Sequence, residues 1–320
     1  MPAITMHDVF GRETLLRNPR IIGDSTDEHD AFLLGNQGPD PLFFLRLTPH
    51  LAHESKLGTA MHERNTAKLI YMLKTAIDVA PDQYRDTARA YALGFLGHYS
   101  LDSAAHPLIF STQYALCDAG VDGLSRKDGS EVHAYIEREL DEWALWTRVH
   151  ETVQTFKPWR RMLLATDRAL DAISDMYSFL SLAVYGHHFP KGAFTQAVHD
   201  YRRLEHLLYS PHAGKLLVLS SIERTVRSHS MYNAASMRDA KRTKTQFGND
   251  ERNPWENPFT GAISTASFSD LFERAQSAMM VRVNTFLSSN FSFEDAGALT
   301  QNINLDGKPT EGVLLAVDDA

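Results

Sequence analysis

The sequence predicts an all-α fold. Apolar residues recur near a helical period over most of the chain, and strand-like alternation is confined to a short stretch at Val313–Val317. Gly and Pro gather in a few segments that read as loops. The first 60 residues, rich in Gly, Pro and Asp, read as irregular. From Glu63 to Val79, Leu69, Ile70, Leu73 and Ile77 predict a helix that Pro81 breaks. A second helix is predicted over Gln83–His106, carrying Tyr91, Leu93, Phe95, Leu96 and Leu101. Pro107 disfavours helical geometry at His106, so this helix should end or kink there.

Cys117–Gly129 contains three glycines and reads as a loop, and Ser130 is expected to cap a helix running to about Thr155. Further helices are predicted over Arg160–Tyr185, Ala193–Leu208, Gly214–Tyr232 and Phe268–Leu287. Between the last two, Asn233–Ser267 reads as a second irregular stretch. With no repeat and no clear linker, residues 1–320 are expected to form one domain, a multi-helix bundle with two long loop regions. Residues from about 295 to 320, ending in AVDDA, are expected to be a mobile tail.

Composition narrows the function. The chain has 320 residues, with 15 histidines and one cysteine. A lone cysteine excludes a disulfide framework and zinc sites built from CxxC pairs, whereas histidine is the commonest metal ligand. The net charge of -8 disfavours a broad surface for duplex nucleic acid. Small anionic substrates stay open, because bound metal ions can outweigh the overall charge. No stretch approaches the ~18 apolar residues of a spanning helix. The start, MPAITMHDVFGRETLL, lacks a basic and apolar leader, so the expectation is a cytoplasmic protein whose membrane contact, if any, is peripheral.

GHYSLDSAAHP places His98, Asp102 and His106 at successive i, i+4 spacings. On a helix these share one face along a ridge of ~12 Å, too long for one tetrahedral ion. Asp102, in the middle, can offer its two oxygens to two ions. SEVHAYIERELDEW repeats the spacing with His133 and Glu137, and Asp141 extends that ridge by a turn. The neighbouring Glu131, Arg138, Glu139 and Glu142 allow a plain solvated face there instead. GNQGPDP holds Asp40 between two prolines, a stiff setting for a carboxylate. KLGTAMHE brings His62 near the start of a helix, and MHDVFG brings His7 near the N-terminus.

In order, GNQGPDPLFF, LGTAMHE, GFLGHYSLDSAAHP and HAYIERELD resemble the zinc-dependent phospholipase C family, whose fold is shared by the single-strand-specific zinc nucleases. NPWENPFTG and SFSDLFERA resemble the C-terminal part of its intracellular bacterial branch, so the resemblance spans roughly residues 3–285. It implies a site of two to three zinc ions. Asp40, His62, His98 and Asp102 match the holders of the first zinc, and the aspartate at the Asp40 position is also a proposed general base. His106, His133 and Glu137 match the ligands of a more separate zinc. Asp102 matches the bridge to a third ion, with His7 as that ion's histidine.

Secreted members have a longer gap between the aspartate and the second zinc's histidine, and Pro107 could supply the bend that re-aims His106. They also hold the third ion with an N-terminal tryptophan, which this chain lacks. Pro2, exposed if Met1 is removed, could offer its amine and carbonyl instead, and His53, His187 and His188 are further candidates.

The implied activity is hydrolysis of a phosphodiester, a phospholipid or other small ester, by metal-activated water that Asp40 orients. A nuclease or nucleotidase on the same fold and a non-enzymatic zinc-binding protein are the alternatives. Phe43, Phe44, Tyr99 and Trp255 could line an apolar or stacking surface. The run Arg238, Lys241, Arg242, Lys244 reads as a solvated loop, or else as a contact for phosphates or a lipid surface.

Overall fold

The computed structural model describes residues 4–209, 219–224 and 229–310. The fold is all-α. The helices are α1 Ile4–Arg17, α2 Thr26–Gly35, α3 Lys56–Glu63, α4 Thr66–Val79, α5 Arg85–Asp118, α6 Gly129–Ala144, α7 Val153–Phe156, α8 Pro158–Arg161, α9 Asp167–Tyr185, α10 Ala193–Leu208, α11 Met231–Ala235, α12 Phe268–Phe286 and α13 Phe293–Thr300. Among the described residues the one sheet is a two-residue hairpin pairing Trp255–Glu256 with Ile263–Ser264. One hydrophobic cluster runs from Ile4 to Leu305.

The long central helix α5 organises the rest. It does not stop at His106 as the sequence suggests, but carries Pro107 inside it and runs on to Asp118. An internal proline forfeits one backbone hydrogen bond and costs about 3 kcal/mol. Burial of Leu108, Ile109 and Cys117 beyond it offsets that loss. α2 crosses α5 with the two backbones in contact. A Cβ on Gly94 would lie 2.1 Å from the Phe32 carbonyl oxygen, and one on Gly35 would lie 2.2 Å from that of Tyr91. Only glycine at both positions permits this crossing.

The first 60 residues are largely helical, contrary to their composition. Ser25 caps α2, its Oγ accepting the Glu28 N–H while the Glu28 carboxylate accepts the Gly23 N–H. The start of α1 is capped from a distance: the buried Asp141 carboxylate accepts the N–H groups of Thr5 and Met6 at 3.2 and 2.8 Å. Asp141 therefore serves the fold rather than extending a ligand ridge. After α2, 3-10 turns carry the chain over Asp40–Leu47 and Pro49–Ser55 into α3.

Elsewhere the departures are smaller. Asp128, not Ser130, precedes α6, which gives way to a π-helical turn over Leu145–Val149 instead of running to Thr155. α9 begins at Asp167 under a Thr166 cap, with the separate turn α8 before it. Of the helix expected over Gly214–Tyr232, residues 219–223 are helical and Ser230 caps a separate short helix, α11, while 214–218 and 225–228 lie outside the described residues, as does all of the alternating stretch Val313–Val317. Of the mobile tail expected over about 295–320, residues 295–310 are instead most of α13 and a loop packed under the site, with Ala296, Thr300 and Leu305 buried, and residues 311–320 lie outside the described residues. No helix among the described residues is long and apolar enough to cross a membrane.

Candidate metal centre

The crossing of α2 and α5 fixes the site. His98 lies one turn beyond Gly94, and its Nδ1 donates to the carbonyl oxygen of Asn36, just past the end of α2. The next loop folds back over the same ring. Gly38 has φ +53°, and a Cβ there would sit 2.3 Å from His98 Cδ2, so only glycine brings the GPD loop this close. Asp40 follows directly. His7 comes from α1, His62 from the end of α3, Asp102 and His106 from later turns of α5, and His133 and Glu137 from α6.

All eight candidate ligands converge on one region. Asp102 stands at its middle, with Oδ1 3.0 Å from His7 Nε2 and Oδ2 3.1 Å from His98 Nε2. His62 Nε2 lies 3.1 Å from Asp40 Oδ1 and 3.8 Å from Asp102 Oδ2. His133 and His106 approach Glu137 Oε1 through their Nε2 atoms at 3.1 and 3.7 Å. Three sets have ligand atoms close enough to share an ion: His7, Asp40 and His98; His62, His98 and Asp102; and His106, His133 and Glu137. The ridge on α5 is divided, with His98 facing the first two sets and His106 the third.

Four of the imidazoles are aimed by hydrogen bonds at Nδ1. His62 donates to Gly58 O at 2.8 Å, His98 to Asn36 O at 3.2 Å, His106 to Leu305 O at 3.1 Å and His133 to Gln113 Oε1 at 2.9 Å. An acceptor at Nδ1 leaves Nε2 with the lone pair a metal needs, and it fixes the ring plane. These partners have weak sequence signals. Gln113 lies seven residues after His106 on α5 and so on the same face, but Leu305 reaches His106 only through the fold.

The electrostatics match a site for cations. Burial lowers His62 and His106, but the hydrogen bond and charge of Asp40 carry His62 up to about 9. The charge of Asp102 and the hydrogen bond to Glu137 carry His106 up to about 10. Burial pushes Asp102 up, and His98, His106 and His7 draw it well below the usual carboxylate range. Burial pushes Glu137 up, but the His133 charge and the hydrogen bonds from His106 and His133 help to hold it low.

His98 Nε2 tests the fit to a metal. It is fully buried and makes no well-directed hydrogen bond, although a carboxylate oxygen lies 3.1 Å away. A bound cation would satisfy both atoms, and a set of imidazole nitrogens and carboxylate oxygens suits zinc.

The profile of the zinc-dependent phospholipase C family matches residues 6–178. The chain belongs to the zinc-dependent phospholipase C family. Searches of curated proteins and of solved structures gave no significant match. The span shared with the phospholipase C family contains all eight candidate ligands and ends before α10.

Above the centre is a cavity of about 400 Å³, lined by every candidate ligand except the fully buried His98, together with Phe43, Phe110, Met231, Arg46 and Asp306. Of the four aromatics expected at the site, Phe43 alone lines it. Phe44 stacks on Tyr201 at 3.8 Å, the Tyr99 hydroxyl donates to the Thr300 and Ile303 carbonyls, and Trp255 Nε1 donates to Ala266 O. Phe110 takes the expected place. His53, His187 and His188 lie away from this cavity, and His187 pairs with Glu54 at 2.6 Å. Pro2 is outside the described residues.

The charged face of α6 is not solvated. Arg138, Glu139 and Glu142 are buried, and Arg242 reaches Glu139 and Glu142 at 3.2 and 2.8 Å. Part of the basic run 238–244 is thus used in internal ion pairs, and Lys241 lies over Trp146.

Proposed function

We propose that this protein is a zinc-dependent phosphodiesterase of the phospholipase C type, holding two to three ions and acting on a phospholipid or other small phosphodiester. The supporting observation is that three ligand sets lie side by side beneath one partly apolar cavity, with Asp102, a member of one set, 3.0 Å from His7 and 4.0 Å from His106 of the other two. His7, Asp40, His62, His98 and Asp102 would hold the ion or ions on one side, and His106, His133 and Glu137 a separate one.

Zinc bound there would neutralise phosphate charge and make a bound water acidic enough to act near neutral pH. The chain's own residues do the rest. Asp102 keeps the ligand sets in register through its two oxygens. Asp40, anchored in the Gly38–Pro41 loop, orients the attacking water. Phe43, Phe110 and Met231 exclude bulk water from one wall and give an ester's apolar portion a surface to lie on. The single cysteine, Cys117, is free and buried, which suits work in a reducing compartment such as the cytoplasm.

The test is a matched panel on zinc-loaded protein: phosphatidylcholine, phosphatidylethanolamine, single-stranded DNA and mononucleotides. Release of a phosphorylated headgroup and diacylglycerol is expected. Cleavage of DNA or mononucleotides alone would move the assignment to the nuclease reading. Inertness across the panel at full zinc occupancy would favour a non-catalytic zinc protein.

A further inference from the structure

Asp306 lines the metal cavity, yet it belongs to none of the three ligand sets and lies beyond the family match. Its position is built with care. Leu305 donates its N–H to His62 O at 3.1 Å and accepts from His106 Nδ1 at 3.1 Å, so the residue before Asp306 ties one ligand set to another. Asn304 Nδ2 donates to Glu63 O, and the Tyr99 hydroxyl donates to Ile303 O.

On the far side, Gly307 has φ +75° and packs so tightly that a Cβ would fall 2.7 Å from Pro107 Cγ. Lys308 then turns back, donating from Nζ to Asp306 Oδ2 at 2.8 Å while lying over the rings of Phe110 and Phe259. Asp306 Oδ1 has no hydrogen-bond partner among the described residues.

A fixed carboxylate is the wrong group to place beside a phosphodiester unless the substrate has something to offer it. The like charges repel, and the opposite charges around Asp306, those of His106, His62 and Lys308, offset only part of that, the two histidines being already shared with Asp102, Asp40 and Glu137. The arrangement becomes favourable when the molecule carrying the phosphate also carries a donor that reaches Oδ1.

We propose that Asp306 is a specificity-determining residue that selects phosphodiesters whose headgroup bears a hydrogen-bond donor, a primary ammonium or a hydroxyl. This rests on the phosphodiesterase reading, and the experiment separates the two. Dihexanoyl phosphatidylethanolamine, phosphatidylglycerol and phosphatidylmethanol are compared as soluble substrates, the last having no headgroup donor. Asp306→Asn should lower kcat/KM at least about ten-fold on the first two, through KM, since a charge-assisted hydrogen bond is lost. On phosphatidylmethanol the change should be under about three-fold, with zinc content unaltered.

Binding is read independently by titrating phosphoethanolamine, glycerol phosphate and methyl phosphate into the zinc-loaded protein. The wild type should prefer one or both of the first two, ammonium and hydroxyl being distinguished by which, and Asp306→Asn should lose the preference. An equal loss on all three diesters overturns the assignment, as does no loss on any. If the wild type hydrolyses none of them, the phosphodiesterase reading fails by itself. Titration still decides Asp306: equal affinity for all three phosphates, or no binding of any, overturns the assignment.

Discussion

His7 Nε2 lies 3.0 Å from Asp102 Oδ1, on the opposite oxygen from the one facing His98. The carboxylate therefore presents separate oxygens to histidines from α1 and from its own helix, the arrangement a bridge between two ions requires. Asp102→Asn replaces one of those oxygens with an amide nitrogen that cannot ligate. The variant should lose more than one zinc ion per chain and all measurable activity while staying folded. Metal analysis on purified protein decides it: a full zinc complement in the variant would refute the bridging role.

Gln113 acts one step back. Its Oε1 accepts from His133 Nδ1 at 2.9 Å and so aims Nε2 at Glu137. Gln113→Leu keeps the bulk and removes the acceptor. Loss of such an outer partner typically weakens metal affinity about 10–100-fold. The effect should fall on the ion of the His106, His133 and Glu137 set alone. Competition with a chelator should show one weakened site and the others unchanged, whereas uniform weakening of every site would count against this division.

The α5 ridge was legible because its spacing is local: i, i+4 positions share a face wherever a helix forms. α10 and α12 were legible for the same reason, their apolar residues keeping one period from cap to end. The first 60 residues were not, since α1 takes its cap from Asp141, 135 residues away. Ser25 and Glu28 do carry a capping pattern, but the surrounding Gly, Pro and Asp obscure it. Pro107 misled because its local preference is outweighed by burial on both sides of it. Leu305 and Asp306 leave no periodic trace, and only the packing of the loop after α13 brings them to the centre.

Gly94 offers a direct test of the crossing that positions His98. A methyl group there would meet the Phe32 carbonyl at 2.1 Å, and backbone cannot yield as a side chain can. Overpacking of this kind typically costs about 1–3 kcal/mol. Gly94→Ala should therefore lower the thermal midpoint measurably and, by separating α2 from α5, weaken zinc binding as well. Gly297, where a Cβ meets nothing within 4 Å, is the control. Gly297→Ala should be neutral or mildly stabilising, and an equal loss at both glycines would show that the crossing is not the cause.

Glu205 should make stability fall as pH rises. It is buried on α10, and it shares a small cavity with Glu137, Arg138 and Asp141 of α6. Burial alone pushes its carboxyl up to about 8. Because the folded value exceeds the unfolded one, proton binding supports the fold fully below the unfolded value, and this support drains away as pH climbs to about 8. Above that, the folded protein holds a buried charge. Glu205→Gln keeps the shape and abolishes the titration. It should match the wild type near pH 4.5, the group's ordinary value, and exceed it at pH 9 by on the order of 2–4 kcal/mol. Denaturant melts at the two pH values measure this, with titrations common to both proteins cancelling in the difference. A gap independent of pH would mean that Glu205 is ionised, and compensated, in the fold.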